Sequence, residues 1–424
     1  ATTEIYTLSL HDALPICGDI PQEDIPYLGL LKSVLGYVNT SNYEYADLAN
    51  AINIYTGGIS SGISVYPDLQ KTGSVCVKYE VRIKVLENNL KDAMALVEEI
   101  LTTSDLEDTK RLGEIIAQVK SRLQVNLSSS GNVVAAMRAL SYQSRYAFYQ
   151  AATLGIAYYQ LIQKLDEQMK TDPKQVVDKM KTLVAKVFVQ NRLLVSFTGT
   201  KAAYKKAQPL FVQYFERLPE GTKAGDMAVI ELSKKNEGFM DASQIQYVAR
   251  GGNFKNHGYT YSGTLKILKM ILSYEYLWIN IRVKGGAYGC MSSFLRTGES
   301  YFVSYRDPNL GKTNEIYEKI PEFVKNFDPD ERDMTKYIIG TFGSLDTPMN
   351  PEAKGSRSMS AYLQHITYED IQKERDDILN ATPEDIRKLA DVIAAILEDD
   401  CFCVVGNENA IRAESGLFMS IKNL

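Results

Sequence analysis

Three observations predict an α+β fold, built as two duplicated domains that each carry a largely antiparallel sheet backed by helices. First, Val75, Val77, Tyr79, Val81, Ile83 and Val85 alternate with Cys76, Lys78, Glu80, Arg82 and Lys84. That period of two marks a strand with one buried face. Second, strand-like runs are followed by several helix-like runs rather than alternating with single ones, which separates α+β from α/β. Third, landmarks of the first half return in the same order in the second. Gly57-Gly58 correspond to Gly285-Gly286, Ile162-Gln163-Lys164 to Ile371-Gln372-Lys373, Asp172-Pro173 to Thr382-Pro383, and Leu193–Phe197 to Cys401–Val405. A repeat this long implies duplicated domains, not a solenoid.

Along the chain, residues 1–16 match the translation of a common short-read sequencing adapter and are set aside from fold reasoning. They lack the basic start of a signal peptide, and His11-Asp12 interrupts their apolar stretch. The first α+β domain is expected over 17–217. Within it the strand Val75–Val85 precedes a helix over Glu87–Leu101. Residues 218–225 carry turn formers without apolar periodicity and read as a linker. The second domain is expected over 226–424, with a strand at Tyr301–Tyr305 and a helix near Thr313–Phe327. Helix starts are signalled by an oxygen cap followed by Pro at Asp172-Pro173, Asp328-Pro329 and Thr382-Pro383. Thr367 with Asp370 reads as a capping box.

Composition narrows the function classes. The apolar fraction of 45% is ordinary for a globular chain. A net charge of −5 gives no support for nucleic-acid binding. The 5 Cys lack CxxC or zinc-knuckle spacing, and Cys401 and Cys403 read as core thiols on one strand face. This usage fits a reducing compartment, and a cytoplasmic, bacterial protein is expected. No stretch of 18 apolar residues occurs, so no membrane span is expected.

The run Ile281-Arg282-Val283-Lys284-Gly285-Gly286-Ala287-Tyr288-Gly289 carries the chemistry. It offers a fixed positive charge and a neutral O–H donor on either side of a Gly-Gly pair. Two donors converging on one point suit an oxygen that gains negative charge. Spacing alone also allows a structural Arg on a strand and one more aromatic among 27 Tyr. With the Gly-Gly pairs aligned, Ile54 stands opposite Arg282 and Ser60 opposite Tyr288. The duplicated scaffold therefore does not require either side chain.

The segment resembles the C-terminal half of the pitrilysin/insulinase-type inverted-zincin metallopeptidases, in their presequence-protease branch. The resemblance extends to Leu277-Trp278, Gln246-Tyr247-Val248, Gly251-Gly252-Asn253-Phe254, Pro26-Tyr27-Leu28 and Thr56-Gly57-Gly58-Ile59-Ser60, and covers the chain from about residue 18 onward. It implies that Arg282 and Tyr288 are catalytic, completing the carbonyl site of an unfolded peptide substrate inside a closed chamber. It also implies that Gly285 and Gly286 lie against the substrate, and that zinc in the complete enzyme is bound by an N-terminal half. The family's zinc motif is His-x-x-Glu-His. The 3 His here, His11, His257 and His365, do not form it, so no metal ligands are expected in this chain.

The expected function is the C-terminal half of a zinc metallo-oligopeptidase, inactive alone, whose partner is the zinc-bearing half in the same or another polypeptide. The alternative is a stand-alone non-catalytic partner subunit or structural assembly protein of the same fold. Other candidates read as structural. Lys284 is taken as a solvated strand residue, His257 as a surface loop residue and His365 as locally satisfied. Glu369, Asp370, Glu374, Asp376 and Asp377 read as a solvated helix face, and Trp278 as core.

Overall fold

The computed structural model describes residues 5–9, 17–192, 194–221 and 227–424. Its strands are β1 (Ile5–Ser9), β2 (Ile59–Pro67), β3 (Val75–Lys84), β4 (Val195–Thr198), β5 (Glu237–Asp241), β6 (Gln246–Asn253), β7 (Gly289–Phe294), β8 (Glu299–Tyr305), β9 (Cys401–Asn407) and β10 (Ser420–Asn423). They form a four-stranded sheet in the order β2-β3-β1-β4 and a six-stranded sheet in the order β10-β5-β9-β6-β8-β7. Four strands of the second sheet, β7-β8-β6-β9, repeat the order of the first, and every pairing among them is antiparallel in both. Only β5 and β10 are added, pairing parallel with β9 and with each other. The duplicated, largely antiparallel α+β reading therefore describes the molecule.

One element comes from the segment set aside on sequence grounds. Ile5–Ser9 forms β1, paired with both β3 and β4. It fills the slot that β6 fills in the second sheet. Without a strand there, the inner edges of β3 and β4 would lack backbone partners. Residues 1–4 and 10–16 lie outside the described residues, as do 222–226, which include part of the expected linker.

The alternation in β3 holds on one face, where Val75, Val77, Tyr79, Val81 and Ile83 are buried. The other face is not left to solvent: Lys78 is 0% and Glu80 1% exposed. The cover comes from the other half of the chain. Helix Pro351–Gln364 lies across β1, β2 and β4, and its Met359 and Leu363 pack with Tyr66. The second sheet is covered reciprocally. Helix Gly131–Leu140 crosses β6, β8 and β9, placing Val134, Ala135 and Ala139 on Tyr247, Ala249 and Val405. Each sheet is thus roofed by a helix from the opposite half, which explains why β9 is apolar on both faces, with Cys401 and Cys403 buried.

Two expected helix starts need adjusting. The helix after Asp328-Pro329 begins later, at Glu331, because Asp330 is the residue whose side chain accepts the Asp333 N–H. Asp172 precedes helix Pro173–Val187 without a side-chain capping bond. Thr382 and Thr367 both form capping boxes with Asp in the Glu position.

Candidate active-site ridge

The Arg282 segment is not a strand. Helix Thr264–Ile271 continues into a widened π-helix, Leu272–Val283, closed by the Lys284 N–H donating to the Ile279 carbonyl. Its aromatic and β-branched residues gain little from tight α-helical winding. Its buried positions, Leu272, Leu277 and Ile281, recur at steps of five and four, as a wide helix requires. Such widened turns concentrate at functional sites. Lys284 accordingly sits in the turn after the helix, exposed, with its ammonium donating to Asn280 Oδ1 at 3.3 Å.

The glycines shape that turn for two reasons. A Cβ on Gly285 would stand 2.5 Å from the Ile281 carbonyl oxygen, and Gly286 has φ +82°. The Asn309 amide donates to the Gly285 carbonyl at 2.6 Å, and the Gly286 N–H donates to the Arg282 carbonyl at 2.9 Å. These bonds fix the step from helix to β7 and so fix Arg282 relative to Tyr288.

The two predicted residues meet. Arg282 Nη1 donates to the Tyr288 carbonyl oxygen at 2.6 Å, and the guanidinium lies 5.2 Å from the Tyr288 ring centre. Beneath it is Trp278, 4.1 Å from the guanidinium. Tyr288 is anchored by its N–H to the Tyr305 carbonyl at 3.0 Å and meets the Tyr305 ring edge-on at 5.8 Å. Its side of the ridge remains open, with Tyr288 64% exposed. Among the described residues no carboxylate pairs with Arg282 and no group accepts from the Tyr288 hydroxyl. The arrangement presents a positively charged and a neutral donor on one rigid, solvent-facing ridge.

Sequence reasoning missed three neighbours. Trp278 is not core but 43% exposed, as the platform for Arg282; the spacing of four on one helix was the available signal. Tyr305 and Arg306 join across the sheet, with the Arg306 guanidinium 5.7 Å from the Tyr305 ring, a contact that only strand register reveals.

Four other expectations change. His257 is half-buried, its Nε2 2.8 Å from Asp399 Oδ1. His365 is not satisfied locally: it ends helix Pro351–Gln364 at φ 56° and its Nδ1 lies 3.1 Å from Asp68 Oδ1 in the other half. Glu374 is buried and receives Tyr261 Oη at 2.7 Å and Arg296 Nη2 at 2.9 Å. Asp377 accepts from the Ser262 hydroxyl and the Gly263 N–H, both at 3.0 Å. Glu369 and Asp376 do face solvent. Among the described residues, no three His, Cys, Asp or Glu side chains gather in a way that would hold a metal ion, and no helix is long and apolar enough to cross a membrane.

Two family models match the chain: the peptidase-associated domain of M16 subfamily C over residues 9–165, and the PreP C-terminal domain over residues 236–406. The chain belongs to the M16 peptidases. It matches their C-terminal part, in the presequence-protease branch. It is 40% identical over 406 residues to the protein HypA of Clostridium perfringens, covering 96% of this chain and 41% of that one. It is 27% identical over 426 residues to presequence protease 1 of Arabidopsis thaliana, covering 99% of this chain and 39% of the relative. The chain thus spans about two fifths of the length of these M16 relatives. Among solved structures, a conserved protein from Enterococcus faecalis superposes with a TM-score of 0.66 at 15% identity, over 96% of this chain and 94% of that one. A peptidase M16 inactive domain from Pseudomonas fluorescens gives 0.61 at 12% identity, over 96% and 93%. Both share the fold.

Proposed function

We propose that this M16 chain supplies two hydrogen-bond donors, Arg282 and Tyr288, to the scissile carbonyl of an unfolded peptide in a zinc metallo-oligopeptidase. The observation that carries the reading is the state of Arg282. It is held by two rings and one carbonyl oxygen, and among the described residues no acid neutralises it. A guanidinium has five N–H groups, so donors remain after the bond to Tyr288. The Tyr288 hydroxyl adds a neutral donor on the same ridge. Donors fixed before the reaction need no reorganisation when a carbonyl oxygen becomes an oxyanion, and each is worth about 2.7–4 kcal/mol of barrier.

Zinc, implied by the family, would polarise a carbonyl and activate water when bound. The described residues of this chain do not fit it, since they gather no ligand set. The metal is assigned to a zinc-bearing N-terminal half, and this chain alone is expected to be inactive. The free thiols accord with a reducing, cytoplasmic setting.

The test is reconstitution with the matching zinc-bearing half and a fluorogenic peptide. Arg282→Lys and Tyr288→Phe should each lower turnover roughly 10²–10³-fold. Unchanged turnover in both variants overturns the assignment. Full turnover by the zinc-bearing half alone would instead favour a non-catalytic subunit.

A further inference from the structure

Far along the chain from the ridge, helices of the first half surround an open basin of ≈ 610 Å³. The volume is ordinary for a small-ligand site. Val119, Leu123, Val134 and Met137 give it an apolar floor. Val133 and Leu154, at its margin, are 53% and 39% exposed, an unusual state for aliphatic side chains lining one concavity.

Its charge is one-sided. Lys32, from helix Ile25–Val34, and Arg122, from helix Thr109–Ser129, both enter the basin, and among the described residues no acidic side chain lines it. The Lys32 ammonium reaches the Thr153 carbonyl oxygen only at 3.5 Å and stands 5.8 Å from the Tyr158 ring centre. Among the described residues Arg122 makes no ion pair or hydrogen bond. Burial, with the Arg122 charge second, lowers the Lys32 ammonium to about 8. Two like charges above an apolar floor repel each other, and Lys32 is partly desolvated as well. An anion carried on an apolar body would relieve both costs.

We propose that this basin binds the carboxyl terminus of a peptide with an apolar last residue, its carboxylate between Lys32 and Arg122. The last side chain then rests on Leu123 and Met137. A chain terminus fits better than an acyl chain because the basin is open, and Asn126 and Ser130 at its edge can bond peptide amides. The inference rests on the basin's own chemistry, so it stands or falls independently of the Arg282–Tyr288 reading.

The test is calorimetric titration of the whole chain with acetyl-Gly-Leu-Phe as the free acid, the same peptide as its amide, and decanoate. The acid should bind at least tenfold more tightly than the amide and more tightly than decanoate. Arg122→Gln, at an exposed position and therefore expected to fold, should remove most of the acid–amide difference. Lys32→Met should remove it too. Equal binding of acid and amide, or an unchanged difference in Arg122→Gln, overturns the proposal. Tighter binding of decanoate would assign the basin to lipid and overturn the peptide source.

Discussion

Arg282 and Tyr288 are side chains whose removal should cost the fold little. Tyr288 projects its hydroxyl into solvent, and Arg282 spends one donor on a carbonyl beside an exposed turn. Tyr288→Phe should therefore shift the unfolding free energy of the chain by less than about 0.5 kcal/mol, as surface changes do; denaturant titration checks this, and a loss of several kcal/mol would mark a structural residue. Lys78 is the opposite case. It is fully buried on the roofed face of β3, and its ammonium has no partner among the described residues. Burial pushes it down to about 6 from 10.5, against the pull of Glu80. The native state then binds fewer protons than the unfolded chain between those values, so this group's penalty is complete below pH 6 and fades as pH rises toward 10.5. Lys78→Met should stabilise the chain at pH 7 by roughly 3 kcal/mol, with the gain shrinking by about pH 10. A destabilised variant would show that Lys78 has a partner when folded. At this scale the sequence was legible where neighbours are local. The Arg282–Tyr288 pair is six residues apart, but the partners of His365 and Glu374 arrive from distant segments that no spacing rule identifies.

Among elements, β3 and the Thr367 and Thr382 capping boxes were readable because strand alternation and capping are local chemistry. The widened helix was not, since an aromatic and β-branched run also suits a strand. Helix Gly131–Leu140 shows how tertiary contact overrides propensity. A Cβ on Gly131 would stand 2.2 Å from the Tyr247 ring, whose hydroxyl donates to the Ser128 carbonyl at 2.8 Å. Propensity alone favours Gly131→Ala by about 1 kcal/mol. The clash should reverse that sign and destabilise the chain by about 1–3 kcal/mol. Thermal unfolding decides it: a raised midpoint would mean the helix simply slides on its sheet.

At the scale of the molecule, the two halves are interlocked rather than adjoined, because each sheet's roof comes from the other. The expected domain boundaries along the chain gave no hint of this exchange, since the roofing helices have ordinary amphipathic sequences. Glu237 on β5 ties the exchange electrostatically. Its carboxylate, 0% exposed, accepts from Arg138 at 2.6 Å and Tyr142 at 3.0 Å on the first half, and from Lys422 at 2.6 Å. Burial pushes its carboxyl up, but Arg138 and Lys422 outweigh that and hold it down to about 2, against an ordinary 4.5. The unfolded chain therefore binds the proton first. The stability from this group is complete above pH 4.5 and is lost as pH falls toward 2. A difference of that size amounts to about 3 kcal/mol. Glu237→Gln should lose a similar amount at about pH 7, where Arg138 and Lys422 are left facing a neutral amide. The gap from the wild type should then close between pH 4.5 and 2, as the wild-type carboxyl is itself protonated. Because each sheet depends on a helix from the other half, loss of this tie should lower one shared unfolding transition. Calorimetry showing two separated transitions, or a gap that persists at about pH 2, would mean that Glu237 does not couple the halves.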